Sequence, residues 1–121
     1  DRVLLDRVET AFRDAGFYPP EADDMAAQAG TSPQKASWAL QTLVDHGILV
    51  PVEKLFFHRD AVARARGILE SYLRDEGRLE SVKFKYLLDT TRKYAIPLLD
   101  YFDRVGVTRR VGNTRYPPHR G

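Results

Sequence analysis

Two glycines 59 residues apart, Gly47 and Gly106, bring the chain into register with itself. At that offset Ala36, Ala39, Leu40 and Leu43 fall on Ala95, Leu98, Leu99 and Phe102. Both quartets have the i, i+3, i+4, i+7 spacing that gathers apolar side chains on one helix face. Each helix then runs into glycine, in DHGILV and in DRVGV, as a left-handed C-terminal cap requires. Short β-prone runs follow. They are ILVPV and LFFH in the first case, and VTRRV and TRY around Gly112-Asn113 in the second. A chain that repeats in this way is confined to two small units built to one plan.

Upstream the plan continues. A first helix from near Val3 places Leu4, Leu5, Val8 and Phe12 on one side. Its counterpart takes Asp60 as N-cap and aligns Val62, Ala65, Leu69, Tyr72 and Leu73. Short second helices fit EADDMAAQ and SVKFKYLLD, and Ser32-Pro33 starts the third helix with a cap followed by proline. Three helices and a β-hairpin, used twice, predict a mostly helical α+β chain of two tandem winged-helix domains, residues 1–58 and 59–121. The junction LFFHRDAV contains no Gly/Ser-rich linker, so strand should pass almost directly into helix.

The formal net charge of +2 conceals an asymmetry. Residues 1–58 carry 5 Lys and Arg against 9 Asp and Glu, net −4; residues 59–121 carry 14 against 8, net +6. One half is suited to a polyanion and the other is not. Cysteine is absent, which excludes disulfides and thiolate metal sites and fits a cytoplasmic protein. No apolar run reaches the roughly 18 residues of a membrane span, and DRVLLDRVE is not a secretory signal. The lack of an initiator Met points to a piece of a longer chain. No GxxxxGK[ST] phosphate loop occurs. His46, His58 and His119 are scattered, with His46 placed to favour its helix C-terminus, and the carboxylates show no metal-ligand spacing. The residues therefore describe a binding module, with no catalytic group, cofactor, metal or small-molecule substrate.

The second unit holds the candidate site. Arg92 and Lys93 stand in the first turn of its third helix, where the helix dipole disfavours cations by roughly 0.3–1 kcal/mol each. With Gly112-Asn113 as a type II′ turn, Val111 faces Thr114, Arg110 faces Arg115 and Arg109 faces Tyr116. Opposed like charges also destabilise a strand pair. An external phosphate would relieve both strains, since helix N–H groups and arginine forks both favour it. Tyr94 either stacks on an unpaired base or packs at the domain edge. Lys83 and Lys85 either widen the positive surface or form a solvated helix face, and Thr90 and Thr91 are helix caps, with phosphate contact as a secondary role.

The outward face of that helix carries Ile96, Asp100 and Asp103, with Pro97 inside it. Carboxylates aimed between phosphate strands would be repelled, and proline should bend the helix. Insertion into a DNA groove is thus disfavoured, and gripping an RNA backbone from its edge is favoured. Two other readings stay open: a DNA-binding regulator, for which Gln34, Ser37 and Gln41 of the first unit are suited, and a protein–protein adaptor. Trp38 marks either a contact surface or an interdomain contact.

The run LLDTTRKYAIPLLDYFDRVGVTRRVGNTRY closely resembles the C-terminal end of the bacterial selenocysteine-specific elongation factors, whose members show LLGTSRKYAIPLLEYFDR-GVTRRVGD-R. The resemblance is dense over residues 84–116; residues 1–83 match in layout. It implies a terminal winged-helix domain that binds the SECIS mRNA hairpin. The hairpin marks an in-frame UGA and tethers a GTP-binding factor and its selenocysteinyl-tRNA to the ribosome. By position, Arg92, Lys93 and Tyr94 fall in the family's basic helix start, and Arg109, Arg110 and Arg115 in its wing, with Thr91 as a further contact and Asn113 as a secondary one. Asp89 replaces a usual glycine, Thr91 a serine and Asn113 an aspartate. The implied protein is cytoplasmic and monomeric, and residues 1–58 serve as a spacer or contact domain.

Overall fold

The computed structural model describes residues 1–119; Arg120 and Gly121, the end of the 59–121 range, lie outside the described residues. The chain divides into two compact units, Asp1–Val62 and Ala63–Gly121.

In the first unit α1 (Arg2–Ala15) starts on Asp1, whose carboxylate accepts from the Leu4 N–H at 3.2 Å, and buries Leu4, Val8 and Phe12. A 3₁₀ turn (Ala22–Asp24) leads into α2 (Met25–Ala29), which ends at Gly30 in the left-handed region, φ 66° and ψ 43°. Ser32 caps α3 (Pro33–Asp45) by accepting from the Lys35 N–H, with Pro33 at the first helical position, where its missing donor costs nothing. This helix buries Ala36, Ala39, Leu40 and Leu43, the quartet the spacing selects. Strands β1 (Leu49–Val52) and β2 (Leu55–His58) pair antiparallel, Leu49 opposite His58 and Val52 opposite Leu55. Phe12 meets Phe56 edge-on at 6.4 Å, closing the core over the hairpin.

No residue separates β2 from α4 (Arg59–Glu76), and the division between units falls within the first turn of that helix. Asp60 is not its N-cap. It lies inside the helix, and its N–H is accepted by His58 Nδ1 at 3.1 Å, so the strand's last side chain does the capping. The buried stripe of α4 is Ala61, Ala65, Leu69 and Leu73, with Val62 and Tyr72 half-buried beside it.

The second unit repeats the plan, its 3₁₀ turn and its second and third helices equal in length to those of the first. A 3₁₀ turn (Ser81–Lys83) enters α5 (Phe84–Leu88), and α6 (Arg92–Arg104) buries Ala95, Leu98, Leu99 and Phe102. Pro97 is accommodated without interrupting α6. Strands β4 (Arg109–Val111) and β5 (Thr114–Tyr116) pair in the anticipated register, and positive φ falls on Gly112 (62°). A strand the sequence did not announce, β3 (Leu79–Glu80), adds to the other edge of β5, so the order is β3-β5-β4. At the 59-residue offset those positions are Pro20 and Glu21, and proline has no N–H for a ladder. No helix among the described residues is long and apolar enough to cross a membrane.

Candidate nucleic-acid interface

Helical periodicity decides which residues at the start of α6 share a surface. Arg92, Ile96 and Asp100 recur every fourth residue and line one side of a cleft of about 130 Å³. Ser81 and Val82 of the 3₁₀ turn border it, and Arg110, Asn113 and Arg115 close it from the hairpin. The helix tip and the wing therefore converge on one concavity. Arg92 is exposed and, among the described residues, has no carboxylate partner. Thr91 is the N-cap by position, φ −111° and ψ 164°, and its carbonyl accepts from the Ala95 N–H at 3.0 Å. Its hydroxyl makes no capping bond, unlike that of Ser32, which corrects the expectation of a side-chain cap.

Arg115 is a second correction. Its guanidinium is not offered to a ligand: it is the largest fully buried side chain, 1% exposed. Nη2 lies 2.7 Å from Asp100 Oδ1 and 3.0 Å from Asp103 Oδ2, Nε donates to Asp103 at 3.2 Å, and Nη1 donates to the Ser81 hydroxyl. Asp103 also accepts from the buried Thr108 hydroxyl at 2.6 Å. Thus the opposed arginines of the hairpin are relieved from within. The two carboxylates assigned to an outward helix face turn toward the wing and neutralise Arg115, so they do not argue against duplex DNA. Arg110 differs: it is exposed, its Nε donates to the Gly112 carbonyl at 2.7 Å, and Nη1 stands 3.9 Å from Asp100. Those contacts hold the side chain over the cleft while leaving guanidinium donors facing out.

The remaining candidates are spread around this centre. Arg109 sits on the other face of the ribbon, stacked on the Tyr116 ring at 4.9 Å, with a buried Nε that has no hydrogen-bond partner. Lys93 is exposed on the helix's first turn with its ammonium 5.3 Å from the Tyr94 ring, and Tyr94 is half-buried. Lys83 is exposed, and half-buried Lys85 lines a smaller recess of about 30 Å³ with Arg92, Val82 and Ile96. Asp89 ends α5 in the left-handed region, φ 52° and ψ 52°, three residues before Arg92. Sequence reasoning missed Ser81, Val82 and the internal role of Asp100 and Asp103. The four-residue spacing of Arg92, Ile96 and Asp100 carried part of that signal.

The same recess exists in the first unit with different chemistry. There Ala22, Asp23, Ala26, Pro33 and Ser37 take the places of Ser81, Val82, Lys85, Arg92 and Ile96. Every cation of the recess is lost and a carboxylate is gained.

Comparison with known proteins follows this asymmetry. The family model described as "Elongation factor SelB, winged helix" matches residues 71–116, which include the convergent cleft. A selenocysteine-specific elongation factor of Escherichia coli (strain K12) is 31% identical over 113 residues, covering 93% of this chain and 18% of that protein. One from Desulfomicrobium baculatum is 28% identical over 109 residues, 89% of this chain and 17% of its own length. The solved mRNA-binding domain of E. coli SelB, in complex with SECIS RNA, superposes with a TM-score of 0.81 at 26% identity, covering 98% of this chain and 99% of that one. The second unit belongs to the SelB winged-helix family. The chain spans under a fifth of the two elongation factors it matches. A bacterial EF-Sec structure, 20% identical with a TM-score of 0.74, shares the fold. Within the SelB frame both winged-helix units find counterparts, because the match to the E. coli domain runs the length of the chain.

Proposed function

We propose that the chain is the mRNA-binding segment of a selenocysteine-specific elongation factor and grips a SECIS-type hairpin through its second unit. The observation that carries this reading is the convergence of Arg92, from a helix tip, with Arg110 and Asn113, from the wing, on one cleft. Helix N–H groups and guanidinium forks there select phosphate oxygens. The ligand class comes from the solved E. coli domain, which holds SECIS RNA on the same fold. Arg109, Lys93, Tyr94, Lys83, Lys85 and the Thr91 hydroxyl form the surround of that grip, and Arg115 braces it from inside. The first unit, acidic and lacking the cations of the recess, serves as spacer or contact domain. GTP binding, the ribosome and cytoplasmic translation belong to the longer factor of which this would be one part.

The test is fluorescence anisotropy of the chain with a hairpin from an mRNA bearing an in-frame UGA, with E. coli SECIS RNA as a second probe. Affinity should fall linearly in log–log with salt, and duplex DNA at equal concentration should not displace the hairpin. Displacement by DNA would establish the regulator reading instead, and salt-independent absence of binding the adaptor reading.

A further inference from the structure

Tyr86 is the most exposed large apolar side chain among the described residues, at 73%. It lies on α5, a helix too short to owe its position to anything but packing through Phe84 and Leu88, both buried. Its neighbour Lys85 places Nζ 5.0 Å from the ring centroid, and Lys85 also lines the small recess with Arg92. That recess shares Ser81, Val82, Arg92 and Ile96 with the wing cleft, so the positive surface continues from the cleft onto α5. The backbone here is held firmly: the Thr90 N–H donates to the Lys85 carbonyl at 2.9 Å and the Asp89 N–H to the Tyr86 carbonyl at 3.3 Å.

The first unit supplies an internal control. Helices α2 and α5 have five residues each, the same 3₁₀ entry and the same left-handed exit, yet Lys85 and Tyr86 correspond to Ala26 and Ala27. The fold is built with alanine at both positions, so neither side chain is there for stability. What a solvent-facing ring beside an ammonium offers is a π-surface next to a phosphate contact, the combination that holds unstacked nucleotides.

We propose that Lys85 and Tyr86 form an outlying part of the RNA site, Lys85 on a phosphate and Tyr86 as the stacking platform for an unpaired base of the bound hairpin. This rests on the RNA-binding reading above. It makes the occupied surface wider than the cleft and assigns the far side of it to a single-stranded nucleotide.

Anisotropy with the hairpin probes named above tests it in the 121-residue chain. Tyr86→Ala should weaken binding about 5- to 100-fold, the range of one lost stacking contact, with the salt slope unchanged. Tyr86→Phe should bind like the parent, and Lys85→Ala should flatten the slope by about one unit. Melting temperatures of all three should match the parent, since the first unit folds with alanines there. An abasic scan of the hairpin's unpaired positions should find one whose removal hurts the parent and not Tyr86→Ala. The proposal is overturned if Tyr86→Ala binds normally while Arg92→Ala is weakened, or if no abasic position is coupled to Tyr86. Absence of hairpin binding by the parent chain would instead remove the RNA reading itself.

Discussion

The two hairpins are fastened to their units by different buried polar side chains. In the first unit His58, 1% exposed, accepts the Asp60 N–H on Nδ1, so its proton is on Nε2, which donates to Glu9 of α1 at 2.9 Å. In the second, Arg115 of β5 reaches Asp100 and Asp103 of α6. The same ribbon is thus tied to the first helix in one case and to the third in the other. The third helix of the second unit begins with Arg92 and Lys93, so tying the wing to it brings Arg110 and Asn113 over Arg92. The guanidinium hydrogen-bonds two carboxylates and a hydroxyl at once, where the imidazole hydrogen-bonds one carboxylate and one backbone N–H. The charge anchor, more than the fold, separates the unit with a cationic cleft from the one without it.

Breaking the anchor should give the largest effect. Asp103→Ala removes two of Arg115's contacts and the partner of Thr108, leaving a buried cation short of acceptors. A loss of about 3 kcal/mol in denaturant unfolding is expected, with hairpin affinity falling alongside. Arg115→Met separates bracing from binding. The side chain is replaced by an apolar one of similar reach, and Asp100 and Asp103, half-buried, can be solvated, so the cost should be smaller. The folded variant should keep the parent's salt slope. A slope flattened by one unit would return Arg115 to the phosphate contacts.

Next in size are the cleft cations. Arg92→Ala and Arg110→Ala should each weaken hairpin binding roughly tenfold at moderate salt and flatten the log K against log salt slope by about one unit. Neither should change stability appreciably, since both side chains are exposed. A normal slope for Arg92→Ala would show that the helix tip does not meet the backbone.

Much of the fold was legible because it rests on periodic burial. The quartets of α3 and α6, the Ser32-Pro33 start and the Gly112-Asn113 register all follow from local rules. What local rules cannot supply is the long-range partner of a charge. Opposed Arg110 and Arg115 look frustrated in a hairpin considered alone, and Asp100 and Asp103 look exposed on a helix considered alone. Folding puts the two features against each other and each satisfies the other. Strand β3 was hidden for a related reason, since two residues, Leu79 and Glu80, carry no periodicity and become a strand only when β5 is beside them. Asp60 was misplaced because His58, a strand residue, took the capping role.

A smaller effect should come from the first unit's own anchor. The Glu9 carboxyl is held below its ordinary 4.5, first by the hydrogen bond from His58, against the opposing cost of burial, and then by the charges of Arg13, His58 and Arg59. A lowered carboxylate contributes stability that is present above its unfolded value and lost as pH falls through its folded one. Glu9→Gln keeps an acceptor for Nε2–H but loses the charge, so it should be about 1 kcal/mol less stable at neutral pH. The gap should close as pH drops below 4.5, in urea titrations of both proteins. A constant gap would mean that Glu9 acts through shape alone.

The finest distinction is in two backbone positions where the units exchange residues. Gly30 and Asp89 occupy equivalent left-handed exits, while Glu53 and Gly112 occupy equivalent positive-φ turn positions. Each unit therefore has glycine at one and a strained charged residue at the other. Replacing either by glycine removes a left-handed cost on the order of 1 kcal/mol and adds back part of it as unfolded-chain entropy. Asp89→Gly and Glu53→Gly should each raise the melting temperature by about 2–4 °C. Their effects on RNA should diverge. Asp89 precedes the cationic start of α6, so its removal should tighten hairpin binding about two- to threefold at low salt, fading as salt screens it. Glu53 lies in the other unit's turn and should leave affinity unchanged. Equal tightening by both would reduce the effect to net charge and erase the distinction between the units at this point; tightening by Asp89→Gly alone would place the hairpin's phosphates within a Debye length of the exit of α5.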